Sequence, residues 1–264
     1  MANIKMLLPL FFIMLSLMPI AAASYISIQS AVTAAGNKTT IKVTNLGDEA
    51  AYNVQLSLEA NNQKTASSIK KQLGVRESFE WNVPLAFKTE NPGKYPLILT
   101  TNYEDANSYP FSAISVSAFD YKQATVSDIA AKISNLELSD KGILELKIKN
   151  TAESAKDADI RLIVPKELTA NKDRLSAKVQ AKSEMPVNFE IEKFSALAGS
   201  SYAVFAVIEY DEEGMHYTST ANGAVKIVEG SVFSLQKIAV FAMIAVIAVL
   251  FAYFAVFNKK WRKG

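Results

Sequence analysis

His216 is the only histidine in these 264 residues, and cysteine does not occur. Those two counts remove most of the side-chain chemistry on which catalysis draws. One imidazole gives a His-centred proton relay or a multi-histidine zinc site almost no material. Without thiols there is no Cys nucleophile, no Cys-ligated metal and no iron–sulfur cluster. His216 stands between Met215 and Tyr217, just past an expected turn, where the plain reading is a polar residue at a strand end. Two acidic runs remain, Glu104-Asp105 and Asp211-Glu212-Glu213-Gly214. Calcium takes several oxygens at once and adjacent carboxylates in a tight turn seldom converge on one ion, so both runs read as solvated turns. Trp81 could stack on a sugar, but it alternates with Phe79 and Val83, which turns it toward a core. Asn37-Lys38-Thr39 is the one glycosylation acceptor sequence. The expectation is therefore no catalytic residue, no cofactor and no metal: a non-enzyme.

Those residues must be positioned by strands. Ile26 and Ile28 flank Ser27, and Ile41 and Val43 flank Lys42. Val54, Leu56 and Leu58 alternate with Gln55 and Ser57, and Leu97 and Leu99 share a face with Tyr103. This period of two marks half-buried strands, and the region shows no convincing 3.6-residue apolar repeat. It reads as all-β.

The pattern occurs twice. Ile41-Lys42-Val43-Thr44-Asn45 matches Leu146-Lys147-Ile148-Lys149-Asn150, and each is followed by a small or polar loop and another alternating strand. Phe79-Glu80-Trp81 matches Val187-Asn188-Phe189, and the pair Tyr95 and Tyr103 matches Tyr202 and Tyr210. An offset near 105 residues is too long for a solenoid and suits tandem sandwiches. The stretch from Ile41 to Leu56, with Asn45-Leu46-Gly47 followed by small residues and a strand, resembles the signature of CARDB- and NEW3-like domains. The second copy is similar from Leu144 to Val164 but has Asn150-Thr151-Ala152 where the pattern has glycine. That resemblance implies immunoglobulin-like modules of archaeal and bacterial surface proteins, a β-sandwich fold and an envelope setting. It carries no shared catalytic residues.

Both ends of the chain point to a membrane. Lys5 precedes an apolar run from Leu7 to Ile20 and then Ala21-Ala22-Ala23, the layout of a secretory signal peptide cut after Ala23, the alternative being an uncleaved anchor that adds a second membrane helix. From Ile238 to Phe257 there is no Asp, Glu, Lys, Arg or His, and a helix of that length covers roughly 30 Å, the thickness of a bilayer's hydrocarbon core. Lys259, Lys260, Arg262 and Lys263 follow and favour the cytoplasmic side. At 100° per residue Ala245, Ala248, Ala252 and Ala255 fall within about 80° of one another, a small-residue face that a second transmembrane helix could approach.

The organisation expected is a signal peptide at 1–23, one immunoglobulin-like sandwich at 24–119, a linker at 120–130, a second sandwich at 131–229, a transmembrane helix at 233–257 and a basic tail at 258–264. The net charge of +2 belongs to the ends of the chain. Residues 24–231 hold 22 Lys and Arg against 26 Asp and Glu, about −4, which argues against nucleic acid as a partner. The partners expected are the lipid bilayer, a surface protein or glycan, and a transmembrane helix. The role expected is binding or scaffolding in the cell envelope, or that of an accessory subunit in a membrane complex for transport, secretion or glycosylation.

Overall fold

A computed structural model describes residues 25–35, 38–84 and 89–229, together with Met243, Ile244, Val246, Ile247, Val249 and Leu250. The signal peptide, Asn37, the alanine face at Ala245, Ala248, Ala252 and Ala255, and the tail cations Lys259, Lys260, Arg262 and Lys263 lie outside the described residues. Up to Glu229 the described elements are all strands, as the alternation predicts. They form two compact units: the described residues of Met1–Phe87 with Leu99–Phe111, and those of Lys88–Ile98 with Ser112–Gly264.

The first-unit strands are β1 (Ile28–Ala35), β2 (Lys38–Asn45), β3 (Ala51–Ala60), β4 (Gln63–Ala66), β5 (Lys70–Leu73) and β6 (Ser78–Pro84). Strands β7 (Gly93–Glu104) and β8 (Pro110–Tyr121) are divided between the units. One sheet runs β1-β2-β6, and β3 pairs with β4, β5 and β7. Buried Thr39, Ile41, Val43 and Asn45 alternate along β2, as do Val54, Leu56 and Leu58 along β3. Trp81 is the Cα partner of Ile41 and so shares its face. It is only half-buried, because β6 is an edge of a three-stranded sheet.

The second unit holds β9 (Ile129–Ile133), β10 (Leu136–Leu138), β11 (Lys141–Asn150), β12 (Lys156–Ile163), β13 (Leu168–Ala170), β14 (Arg174–Val179), β15 (Glu184–Lys193), β16 (Ser201–Glu212) and β17 (Met215–Ile227). One sheet has the order β13-β15-β11-β9 and the other β14-β12-β16-β17, with β10 added parallel to β17. A single core joins them: Leu144, Leu146, Ile148 and Phe189 from the first, Ile160, Leu162, Val204, Ala206 and Ile208 from the second. Naming strands by the immunoglobulin convention, β9, β11 and β15 are A, B and E of the first sheet and β12, β16 and β17 are C, F and G of the second. β14 is in the C′ place beside C, and β13 lies in the D place beside E although it precedes β14 in the chain. The fold is immunoglobulin-like on topology alone.

The duplicated sequence motif does the same work in both units. Asn45 and Asn150 are wholly buried at the ends of β2 and β11. The Asn45 amide nitrogen donates to the carbonyls of Glu49 (2.7 Å) and Leu73 (3.3 Å), and its oxygen accepts from the Gly47 N–H (3.0 Å). The Asn150 amide nitrogen donates to Ser154 (2.8 Å) and Val179 (3.1 Å), and its oxygen accepts from Ala152 (3.0 Å). Each asparagine closes the turn into the next strand and ties it to the C′ strand, satisfying backbone groups that burial would otherwise orphan. The corner tyrosines repeat as well. Tyr95 donates to the Asn91 carbonyl (2.8 Å) and Tyr202 accepts from the Leu197 N–H (3.0 Å), so each holds the loop that enters its own strand.

Candidate functional site

Two ends of the second unit concentrate its chemistry: the β16–β17 hairpin end, and the opposite end, where β17 finishes at Ile227. At the hairpin, Glu213 and Gly214 take positive φ (51° and 76°), the two-residue turn that matches the twist of paired strands. The register then sets His216 opposite Asp211. Its Nδ1 lies 2.9 Å from Asp211 Oδ1 and its Nε2 3.1 Å from Glu209 Oε1. The ring stacks on Tyr95, with centroids 4.0 Å apart and planes 9° apart. Burial opposes a charge on this ring, but the hydrogen bonds to Glu209 and Asp211 outweigh it, and the pKa of His216 is raised. Both nitrogens face carboxylates, so both donate in the imidazolium form. In that form neither nitrogen offers a lone pair to a proton or a metal ion.

Lys156 is the buried cation at this end, its side chain 3% exposed. Its Nζ contacts Glu212, lies 3.0 Å from Ser154 Oγ and 3.9 Å from Asp128 Oδ2, and sits over the Tyr210 ring. Burial works against its charge, but the contact with Glu212, aided by Tyr210 and Asp128, keeps the pKa above the ordinary lysine value. The acidic run read from the sequence is thus divided: Asp211 serves His216 and Glu212 serves Lys156. Asp105 is likewise occupied, accepting from the N–H groups of Asn107 and Tyr109 at 2.8 Å. Among the described residues no group of three or more His, Asp or Glu side chains could hold a metal ion.

Residues of the expected linker are tied to the same hairpin. Thr125 donates to the His216 carbonyl (3.0 Å), and the Asp128 N–H donates to the Tyr210 hydroxyl (3.0 Å).

The opposite end is apolar. The segment between β15 and β16 presents Phe194, 74% exposed, and Leu197, 42% exposed. It is not slack. The N–H groups of Phe194 and Ser195 both donate to the Glu167 carbonyl (3.0 and 3.1 Å), Leu197 N–H donates to Tyr202, and Gly199 N–H donates to the Ile227 carbonyl (2.9 Å). The Glu167 carboxylate, wholly buried, accepts from the N–H and the hydroxyl of Ser112 (2.5 and 2.8 Å). Sequence pattern does not single out this loop. The signal available there is Phe194 at the head of a run of Ser, Ala and Gly that Leu197 interrupts.

Beyond Glu229, Met243, Ile244, Val246, Ile247, Val249 and Leu250 are helical and exposed. Among the described residues no helix is long and apolar enough to cross a membrane.

No protein-family model and no curated protein sequence matches this chain. Among solved structures it is similar to a non-cellulosomal cohesin from the hyperthermophilic archaeon Archaeoglobus fulgidus, with 13% identity over 39% of this chain and 93% of that one, at a TM-score of 0.29. It is also similar to a chain of a CaDoc0917–CaCohA2 complex crystallised at pH 5.5, with 8% identity over 38% of this chain and 99% of that one, at a TM-score of 0.30. A third is the native conformation of Escherichia coli alpha-2-macroglobulin, with 10% identity over 77% of this chain, at a TM-score of 0.31. This chain spans only 17% of that macroglobulin's length. The CARDB- and NEW3-like resemblance has no family model behind it, and the broad immunoglobulin-like fold stands on the strand order described above.

Proposed function

We propose that this protein is a non-enzymatic component of the cell envelope: tandem immunoglobulin-like sandwiches on the extracytoplasmic side of a membrane, tethered by one C-terminal helix, that bind or scaffold other surface molecules. The observation that carries the anchor is the helical run at Met243, Ile244, Val246, Ile247, Val249 and Leu250, whose exposed apolar side chains spread over more than half of the helix circumference. A helix apolar on so many sides belongs in lipid or against an apolar partner. The tail cations Lys259, Lys260, Arg262 and Lys263 set its orientation, with the N-terminus outside. The non-enzymatic reading is supported by the hairpin end, where imidazole, ammonium and carboxylates are paired with one another.

A second reading, an accessory subunit of a membrane complex, is favoured by one specific feature. Only six residue steps lead from Ile227, where β17 ends, to Phe233, the first residue of the expected transmembrane helix. A module meant to reach distant ligands gains from a longer stalk. In that case Ala245, Ala248, Ala252 and Ala255 would face a partner helix. Crosslinking in native membranes, mild-detergent purification and mass spectrometry separate the two. Co-purifying glycans or surface proteins support the binding role, and a stoichiometric multi-pass protein supports the subunit role. Hydrolysis of an envelope polymer by the purified protein would defeat both.

A further inference from the structure

We infer that the Phe194–Ser200 loop is a second membrane contact, with Phe194 and Leu197 seated in the headgroup region of the outer leaflet. The inference rests on the membrane-anchor reading and adds to it a specific lipid-facing surface on the second sandwich. Three observations lead to it. First, the loop is level with the end of β17, because Gly199 N–H donates to the Ile227 carbonyl and Ile227 N–H donates back to the Ser200 carbonyl, both at 2.9 Å. Second, six residue steps separate Ile227 from Phe233, the first residue of the expected transmembrane helix, and they reach at most about 20 Å fully extended, so with the helix starting there this end of the sandwich stays close to the bilayer. Third, the loop holds two large apolar side chains in the open on a backbone pinned at Glu167, Tyr202 and Ile227. Aromatic and aliphatic groups held rigidly at that height suit the boundary between headgroups and acyl chains.

The occupant is the lipid interface rather than an anionic patch. Lys141 is paired with Glu192 (3.0 Å) and Lys226 with Glu137 (3.7 Å). The two side chains assigned to the membrane, Phe194 and Leu197, carry no charge, so the test uses a zwitterionic bilayer.

The absence of native cysteine makes the test direct. Single variants Phe194→Cys, Leu197→Cys, Val126→Cys and Ile247→Cys of the full chain are labelled with a polarity-sensitive fluorophore and reconstituted in phosphatidylcholine vesicles. Nitroxide-bearing lipid and aqueous iodide then serve as quenchers. Probes at 194 and 197 should be blue-shifted, lose most of their emission to nitroxide lipid and resist iodide. The probe at 126, whose native valine is 88% exposed, should do the reverse. Nitroxide quenching at 247 with iodide quenching at 194 overturns the inference and leaves the anchor standing. No nitroxide quenching at 247 removes the anchor and this contact with it. Protection of 194 from both quenchers places a second copy of the chain on the loop and overturns the lipid assignment. Unchanged melting temperatures of the variants establish that each probe reports on the native fold.

Discussion

A histidine between two carboxylates is a different object from a histidine at a strand end. The sequence alone sets His216 near the turn, and the hairpin register is enough to place it opposite Asp211. Glu209 lies two residues further along the same strand. Tyr95, on which the ring stacks, is more than a hundred residues away and no local pattern points to it. The physical consequence is a pH dependence. Because the His216 pKa is raised above its unfolded value of about 6.5, the folded state binds the proton more tightly. Its contribution to stability is complete below about pH 6.5 and disappears as pH rises through the folded pKa. The groups facing the ring are Glu209 and Asp211 on β16 and Tyr95 on β7, with Asn91 reaching Asp211. The melting temperature should therefore fall between slightly acidic and alkaline pH. In His216→Gln that dependence should flatten, with a loss of about 2 kcal/mol on the acidic side, where two charge-assisted hydrogen bonds are missing. A variant that keeps the wild-type pH slope would show that the carboxylates do not hold the proton.

At the scale of elements, the repeated Asn and its departure from glycine in the second copy now have a mechanical account. At Gly47 a Cβ would lie 2.3 Å from the Tyr25 carbonyl oxygen and 2.8 Å from the Ser27 nitrogen, backbone atoms that cannot step aside. The leading chain is drawn across this position because both Asp48 and Glu49 N–H groups donate to Tyr25. In the second unit Thr151, which corresponds to Leu46, donates its N–H and its hydroxyl to the Asp128 carbonyl at 2.9 Å, as the Leu46 N–H does to Ser27 at 2.7 Å, and Ala152 stands in the glycine's place. Gly47→Ala should expel residues 25–27 from β2, seen as new protease sensitivity near Tyr25 with the second unit unaffected. Asn150→Ala should cost about 2–3 kcal/mol, since the carbonyls of Ser154, Val179 and Gln180 lose their donor and the Val179 bond is buried. Denaturant unfolding would measure it, and a loss below about 1 kcal/mol would mean water replaces the amide. The strands, the duplication and the inward faces were legible because burial alternates with the same period as the pleat. What local pattern could not give was β10 leaving its neighbours to run parallel to β17, or β7 and β8 being divided between the units. Those depend on pairings between distant segments. Nor could alternation distinguish Trp81, half-buried on an edge strand, from Phe189, fully buried opposite Leu144 on a strand with neighbours on both sides.

For the whole molecule, the proposed membrane anchor makes the decisive quantity which side of a bilayer each part occupies. Its basis is the sequence: the apolar length from Ile238 to Phe257 and the basic residues behind it match the thickness and charge asymmetry that a bilayer imposes on any chain that crosses it. The apolar loop at Phe194 was not legible in the sequence, since its place beside the end of β17 exists only once β16 and β17 are folded together. Orientation can be measured with the chain's own lack of cysteine. A membrane-impermeant maleimide applied to intact cells should label Val126→Cys, which projects from the second unit, and should leave Lys263→Cys unlabelled until the cells are opened. Labelling of position 263 alone would invert the molecule, placing the sandwiches in the cytoplasm and Phe194 against the inner leaflet. Each sandwich would keep its core and its buried Asn. The envelope role would not survive, because it depends on what the bilayer separates rather than on how either sandwich folds.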